Sequence, residues 1–168
     1  VRAEGMDVYG ADGRRYLDCL SGAGTLALGH NHPVVVDALR STLDAGRPLH
    51  TLDLATPEKD EFVAELFATL PEKFAATAKI QFCGPAGTDA VEAAIKLAQT
   101  ATGRTGVAAF TGAYHGMTLA ALTASGGKAP STPALDVIRL PYPYPYRCPL
   151  GLSGDLGAHA TASYVERL

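Results

Sequence analysis

The chain has 168 residues, 47% of them hydrophobic and 18% charged, with a formal net charge of −3. That is apolar enough for one domain to bury a core, and the mild acidity without a basic stripe argues against nucleic acid or an anionic membrane as a partner. No apolar run approaches membrane-spanning length, no secretory signal is visible, and three scattered cysteines, Cys19, Cys83 and Cys148, suit a reducing cytoplasm and give no metal-site spacing.

Along the chain, Met6-Asp7-Val8-Tyr9 and Arg15 to Leu20 flank Gly10-Ala11-Asp12-Gly13, whose Asp-Gly pair predicts a β-hairpin. Asp7, Asp12 and Asp18 fit hairpin and turn positions better than paired acid and base. His30 and His32 would share one face of a strand, but neither they nor His50 have a convincing third ligand, and Pro33 marks a helix start instead. That helix carries Val34, Val35, Ala38, Leu39 and Leu43 as its apolar face and ends near Ala45-Gly46. Thr56-Pro57-Glu58 opens a second, with Phe62, Leu66 and Leu70 inward and Pro71 as the stop.

From Ala78 the pattern alternates. Ala78 to Phe82 reads as a short strand, and a glycine turn leads into a helix from Asp89 to Ala101 with Val91, Ile95 and Ala98 at helical spacing. Gly106 to Phe110 reads as a buried strand, followed by a loop, another helix and a last strand near Val137 to Leu140. This order predicts a parallel-type sheet covered by helices. Pro141 to Pro149 reads as a rigid extended loop, and Ala160 to Leu168 as an unfinished helix. With Val1 at the start, both ends are expected to be cut.

Two loops carry chemistry. In Gly84-Pro85-Ala86-Gly87-Thr88-Asp89 a helix begins on small and hydroxyl-bearing residues, so backbone amides without partners and a partial positive charge face an approaching anion. Each such contact is worth roughly 0.3–1 kcal/mol, so a phosphate would need several donors. The competing reading is a plain cap by Thr88 or Asp89. In Thr111-Gly112-Ala113-Tyr114-His115-Gly116, an aromatic and a histidine stand at a strand's carboxyl end, where ligands sit in open α/β sheets. Tyr114 can stack on a flat heteroaromatic ring and His115 can donate beside it; alternatively they are a core tyrosine and a satisfied loop histidine.

Gly84 to Ala94 together with Phe110 to Leu119 resembles the first half of the class III (ornithine/4-aminobutyrate type) pyridoxal-phosphate aminotransferases. Tyr16 to Leu26 and Leu28-Gly29-His30-Asn31-His32-Pro33 match the same family's amino-terminal pattern, so the resemblance covers nearly the whole chain. It implies an α/β chain, the amino-terminal part of a fold-type I transferase. Residues 1–52 would form a small α+β segment, and residues 53–168 the first part of a large cofactor domain with a helix-covered, mostly parallel sheet. It further implies that Gly87 and Thr88 bind the phosphate of pyridoxal 5'-phosphate, with Ala86 giving backbone at most. Tyr114 would stack on the ring, with His115 beside it. Met117 stands where ornithine and acetylornithine enzymes usually carry Arg, which argues against those substrates. Ser21 to Gly24 resembles a loop at the substrate entrance.

Within the family, Leu140 to Pro143 with Tyr146 to Leu152 is most similar to members that move the terminal amine of L-2,4-diaminobutyrate to 2-oxoglutarate. Those give aspartate 4-semialdehyde and glutamate. The alternatives are 4-aminobutyrate or another ω-amine as donor, or a non-catalytic phosphate-binding module. Pyridoxal chemistry needs a tethering lysine and a carboxylate on the pyridine nitrogen. None of Lys59, Lys73, Lys79, Lys96 and Lys128 stands in such a context, so no catalytic residue is assigned and the chain by itself is expected to be inactive. The resemblance also implies a homodimer.

Overall fold

The computed structural model describes residues 1–127 and 134–168, which leaves Lys128 outside the described residues. The chain forms two compact units, Val1–Ala76 and Thr77–Leu168.

In the first unit the expected hairpin is present. Strands β2 (Asp7–Tyr9) and β3 (Arg15–Leu17) pair antiparallel, with Val8 opposite Tyr16. Arg15 reaches across to Asp7 at 2.8 Å. Sequence reading missed a further strand, β1 (Arg2–Glu4), antiparallel to β2 with Arg2 opposite Tyr9. The Arg2 guanidinium lies over the Tyr9 ring at 4.3 Å, so a charged residue of weak strand propensity is held there by its cross-strand partner.

Helix α1 (Pro33–Asp44) starts on its proline, and the Arg47 amide bonds back to the Thr42 carbonyl past its end. Helix α2 (Pro57–Ala68) is capped by Thr56, whose hydroxyl accepts the Lys59 amide at 3.3 Å, with Glu58 and Asp60 in the first turn. A short helix, α3 (Glu72–Ala75), follows Pro71. The inward face expected on α1 is a correction: Val34, Leu39 and Leu43 are exposed, because among the described residues no element covers that side. Leu66 on α2 and Leu70 just past its end are half-buried as expected, whereas Phe62 is exposed.

The second unit contains α4 (Gly87–Thr102), β4 (Gly106–Phe110), α5 (Leu119–Ala124), β5 (Asp136–Leu140) and α6 (Gly154–Val165). Strands β4 and β5 are parallel, in register from Gly106 opposite Asp136 to Phe110 opposite Leu140. This is the parallel sheet that the alternation predicted. The strand expected at Ala78 to Phe82 is absent, since a strand exists only through ladder bonds and no described segment pairs with it. The Pro/Tyr-rich loop is tightened by a single 3₁₀ turn at Pro145–Arg147. Helix α6 starts six residues before the expected Ala160 and ends at Val165.

The buried apolar side chains among the described residues are alanines, Ala109 of β4 and Ala120, Ala121 and Ala124 of α5. Small residues here let α5 lie close on β4. No helix among the described residues is long and apolar enough to cross a membrane.

Candidate functional site

The carboxyl end of β4 feeds the loop that carries Tyr114 and His115. The Thr111 amide donates to the Leu140 carbonyl at 2.8 Å, continuing the β4–β5 ladder by one bond. Beside it, a cavity of ≈ 270 Å³ is lined by Phe110, Thr111, Gly112, Ala113 and Tyr142. The rings of Phe110 and Tyr142 meet edge to face, 5.5 Å apart. An opening at the carboxyl edge of parallel strands is where α/β sheets place ligands.

The loop is then turned back by α5. The Gly126 amide donates to the Ala113 carbonyl at 2.6 Å, and the His115 amide donates to the Ser125 hydroxyl at 2.9 Å. Ser125 is itself buried, and its hydroxyl donates to the Ala121 carbonyl. Gly126 permits this fold because a Cβ there would lie 2.1 Å from the Gly112 nitrogen. Tyr114 projects from the secured loop with 72% of its surface exposed, and His115 is half-buried beside it. An aromatic ring held by its backbone and left uncovered is available for stacking.

The phosphate-type turn comes to the same place. Ala86 precedes α4 with extended backbone and no side chain to cap it. Asp89 reaches back instead, accepting the Ala86 amide at 3.3 Å. Gly87 and Thr88, the first helical residues, therefore present amides that the helix itself leaves unpaired, and a Cβ added at Gly87 would meet nothing within 4 Å. The structure brings this turn against the Tyr114 loop at Gly116. There φ is +128°, and a Cβ would lie 2.3 Å from the Thr88 hydroxyl oxygen, so only glycine can close the contact.

Two residues to which sequence reading gave no role, Thr118 and Glu92, tie the loops together. The Thr88 and Thr118 hydroxyls are 2.6 Å apart, and the Thr118 amide donates to the Thr88 hydroxyl oxygen at 3.2 Å. Glu92, one turn along α4, accepts the Ala120 and Ala121 amides at 2.8 and 3.2 Å and so caps α5. The Thr118 hydroxyl foremost, and then those amides, hold the Glu92 carboxyl below its ordinary range against the opposing effect of burial. At the other end of α5, the Arg139 guanidinium donates to the Ala124 carbonyl at 2.6 Å. Glu92 lies within the motif read from sequence, but only the tertiary approach of α5 gives it a partner.

In the first unit, Asp18 organises the segment that follows the hairpin. One carboxylate oxygen accepts the Leu20 and Ser21 amides at 2.8 and 2.9 Å, and the other meets the His30 ring at 2.7 Å. Ser21, Gly22, Ala23 and Gly24 all have positive φ, a short left-handed turn closed by the Leu26 amide on the Ser21 carbonyl. His30 is thus a carboxylate partner. No group of three or more His, Cys, Asp or Glu able to hold a metal occurs among the described residues.

Residues 1–166 match the family model described as aminotransferase class-III. A Rhizobium meliloti diaminobutyrate–2-oxoglutarate aminotransferase is 56% identical over 98% of this chain, and a Haemophilus influenzae protein of the same name is 48% identical over 99% of it. The chain spans 36% and 37% of the lengths of these two relatives. Among solved structures, an (S)-enantioselective omega-transaminase from Thermomicrobium roseum is 28% identical with a TM-score of 0.79. A PLP-bound amine transaminase from an uncultivated Pseudomonas species is 25% identical with a TM-score of 0.81. Each alignment covers 99% of this chain, and respectively 39% and 40% of the solved chain.

Proposed function

This chain belongs to the class III aminotransferases, its match running from residue 1 to 166, and from that premise we propose that it supplies the phosphate- and ring-binding part of a pyridoxal-phosphate enzyme. The reaction is transfer of the terminal amine of L-2,4-diaminobutyrate to 2-oxoglutarate, giving aspartate 4-semialdehyde and glutamate. The observation that carries the reading is the packing of Gly116 on Thr88, which sets an exposed aromatic beside unpaired helix-start amides. The printed names of the two relatives support the choice of amine donor and acceptor.

The residues present fit the cofactor. Gly87 and Thr88 offer amides to a phosphate, the space over Gly87 is open, and the Tyr114 ring is uncovered. When bound, pyridoxal 5'-phosphate supplies an electron sink for the carbon that loses its proton. This chain's part is binding and alignment. The helix-start amides fix the charged end, Tyr114 sets the plane of the ring with His115 beside it, and the ties from Ser125 and Gly126 keep that plane from drifting. No catalytic nucleophile is assigned to these residues. In the intact protein we place residues 1–52 in a small domain and residues 53–168 in the large cofactor domain, and we take the enzyme to be a homodimer. The unpaired Cys19, Cys83 and Cys148 support a cytoplasmic setting.

The test is amine-donor profiling of the full-length protein. With 2-oxoglutarate as acceptor, glutamate should form faster from L-2,4-diaminobutyrate than from 4-aminobutyrate, and the visible band of the bound cofactor should be abolished by borohydride. The reverse preference would move the assignment to an ω-amine donor. For the ring contact, Tyr114→Ala should lower cofactor affinity about three- to tenfold while Tyr114→Phe retains it, as loss of a stacking surface demands.

A further inference from the structure

Helix α5 buries methyl groups, those of Ala120, Ala121 and Ala124, beside Ala109 of β4. A surface of methyls packs closely but has no ridges to interlock, so it leaves a helix free to slide and turn about its axis. What fixes α5 is polar and sits at its ends. Thr118, which precedes the helix, makes no side-chain capping bond. The acceptor comes instead from α4, where one oxygen of Glu92, Oε1, takes the Ala120 and Ala121 amides at 2.8 and 3.2 Å. Thr88 stands one turn earlier on the same face of α4, and its hydroxyl oxygen accepts the Thr118 amide at 3.2 Å. The start of α5 is thus bound to two side chains of the helix that opens on Gly87. Its far end holds the ring loop: the Ser125 hydroxyl accepts the His115 amide at 2.9 Å, and the Gly126 amide donates to the Ala113 carbonyl at 2.6 Å. Ala113 and His115 are the two chain neighbours of Tyr114.

We infer that Glu92 is a positioning residue for the ring: bonded to the start of α5, it sets through that helix where Ala113 and His115 lie, and so the plane of Tyr114 relative to the turn at Gly87 and Thr88. This rests on the proposed reading of the site and adds a residue to it. Six helical residues span about 9 Å, short enough for a displacement of the first turn to arrive undiminished at the last. Glu92 therefore acts through α5 and needs no contact with the ring. Reach matters more than charge in such a role. Glutamine has the same length and keeps a carbonyl oxygen for the two amides, whereas aspartate keeps the charge and falls short by one methylene.

The full-length protein loaded with pyridoxal 5'-phosphate gives two readings. Circular dichroism of the visible band, per bound cofactor, reports ring orientation, and amide hydrogen exchange across residues 113–116 reports the loop. Glu92→Ala should lower the dichroic intensity and speed exchange at 113–116 about tenfold, the size of a lost charge-assisted hydrogen bond, while exchange in α6 stays at the wild-type rate. Glu92→Gln should restore both readings, and Glu92→Asp should not. Wild-type dichroism and wild-type exchange at 113–116 in Glu92→Ala, whatever its denaturation midpoint, would overturn the inference and leave Glu92 a cap for α5 alone. Exchange that quickens equally in α6 would overturn it as well, since it reports loosening of the whole fold. If Glu92→Ala fails to fold, the other two variants decide, and an aspartate variant that matches the glutamine one would overturn the inference. A wild-type protein that gains no visible band with pyridoxal 5'-phosphate would refute the cofactor reading instead. The exchange measurement needs no cofactor and would still decide whether Glu92 holds the loop.

Discussion

At Gly126 and Gly116 the backbone approaches a neighbour more closely than any side chain allows, and the candidate site depends on both approaches. A methyl at 126 would lie 2.1 Å from the Gly112 nitrogen, a backbone atom that cannot swing aside. Gly126→Ala is predicted to destabilise the full-length protein by about 3 kcal/mol, the upper end of ordinary overpacking, in chemical denaturation. The clash should also displace Tyr114, so cofactor affinity should fall in the same variant. Asp18 gives the clearest pH prediction. Its carboxyl is held below the usual range, first by the Ser21 amide, then by the His30 ring and the Leu20 amide. A depressed folded-state pKa means that its contribution is complete above the ordinary carboxylate value of about 4 and is lost as pH falls through the folded value. The stability gap between wild type and Asp18→Asn, followed by denaturation from pH 6 into acid, should therefore close as pH drops. Residues such as Asp18 and Glu92 were visible in the sequence, but their partners were not: Asp18 meets a histidine twelve positions on, and Glu92 meets amides twenty-eight and twenty-nine positions on.

Helix α5 is held at both ends by charges from other elements, Glu92 at its start and Arg139 of β5 at its finish. Arg139→Leu would leave the Ala124 carbonyl without its charged donor and should cost about 1.5–3 kcal/mol, read as a lower denaturation midpoint. Helix α6 is held by contact with the loop before it. Gly157 faces Cys148 so closely that an added Cβ would lie 2.7 Å from the sulfur and 3.2 Å from the Leu152 carbonyl oxygen. Gly157→Ala is predicted to destabilise by about 1–3 kcal/mol, and Cys148→Ala in the same protein should recover part of the loss. Elements with local signals were legible in advance: Pro33, Thr56-Pro57 and the glycine turn before α4 each mark a helix start. Ala78 to Phe82 was misread because hydrophobicity alone does not make a strand, and β1 was overlooked because Arg-Ala-Glu has no strand signature of its own. The two candidate loops were legible through their glycines, while the hydroxyl and carboxylate relay that joins them belongs to tertiary structure.

Among the described residues the buried apolar side chains are alanines, while Leu39, Leu43, Phe62, Phe110, Ile138 and many others remain exposed. Exposure on this scale marks surfaces made to be covered, in keeping with relatives well over twice this length. Expressed by itself, the 168-residue chain should bind the dye ANS strongly and associate in sizing experiments; a monodisperse, dye-silent monomer would contradict the apolar exposure described above. The methyl-sized interior carries a thermal consequence as well. Unfolding absorbs heat in proportion to the apolar surface newly wetted, and most of this chain's larger hydrocarbon groups are wet before heating begins. In a scanning calorimeter the isolated polypeptide should give a broad, shallow rise in place of a cooperative endotherm.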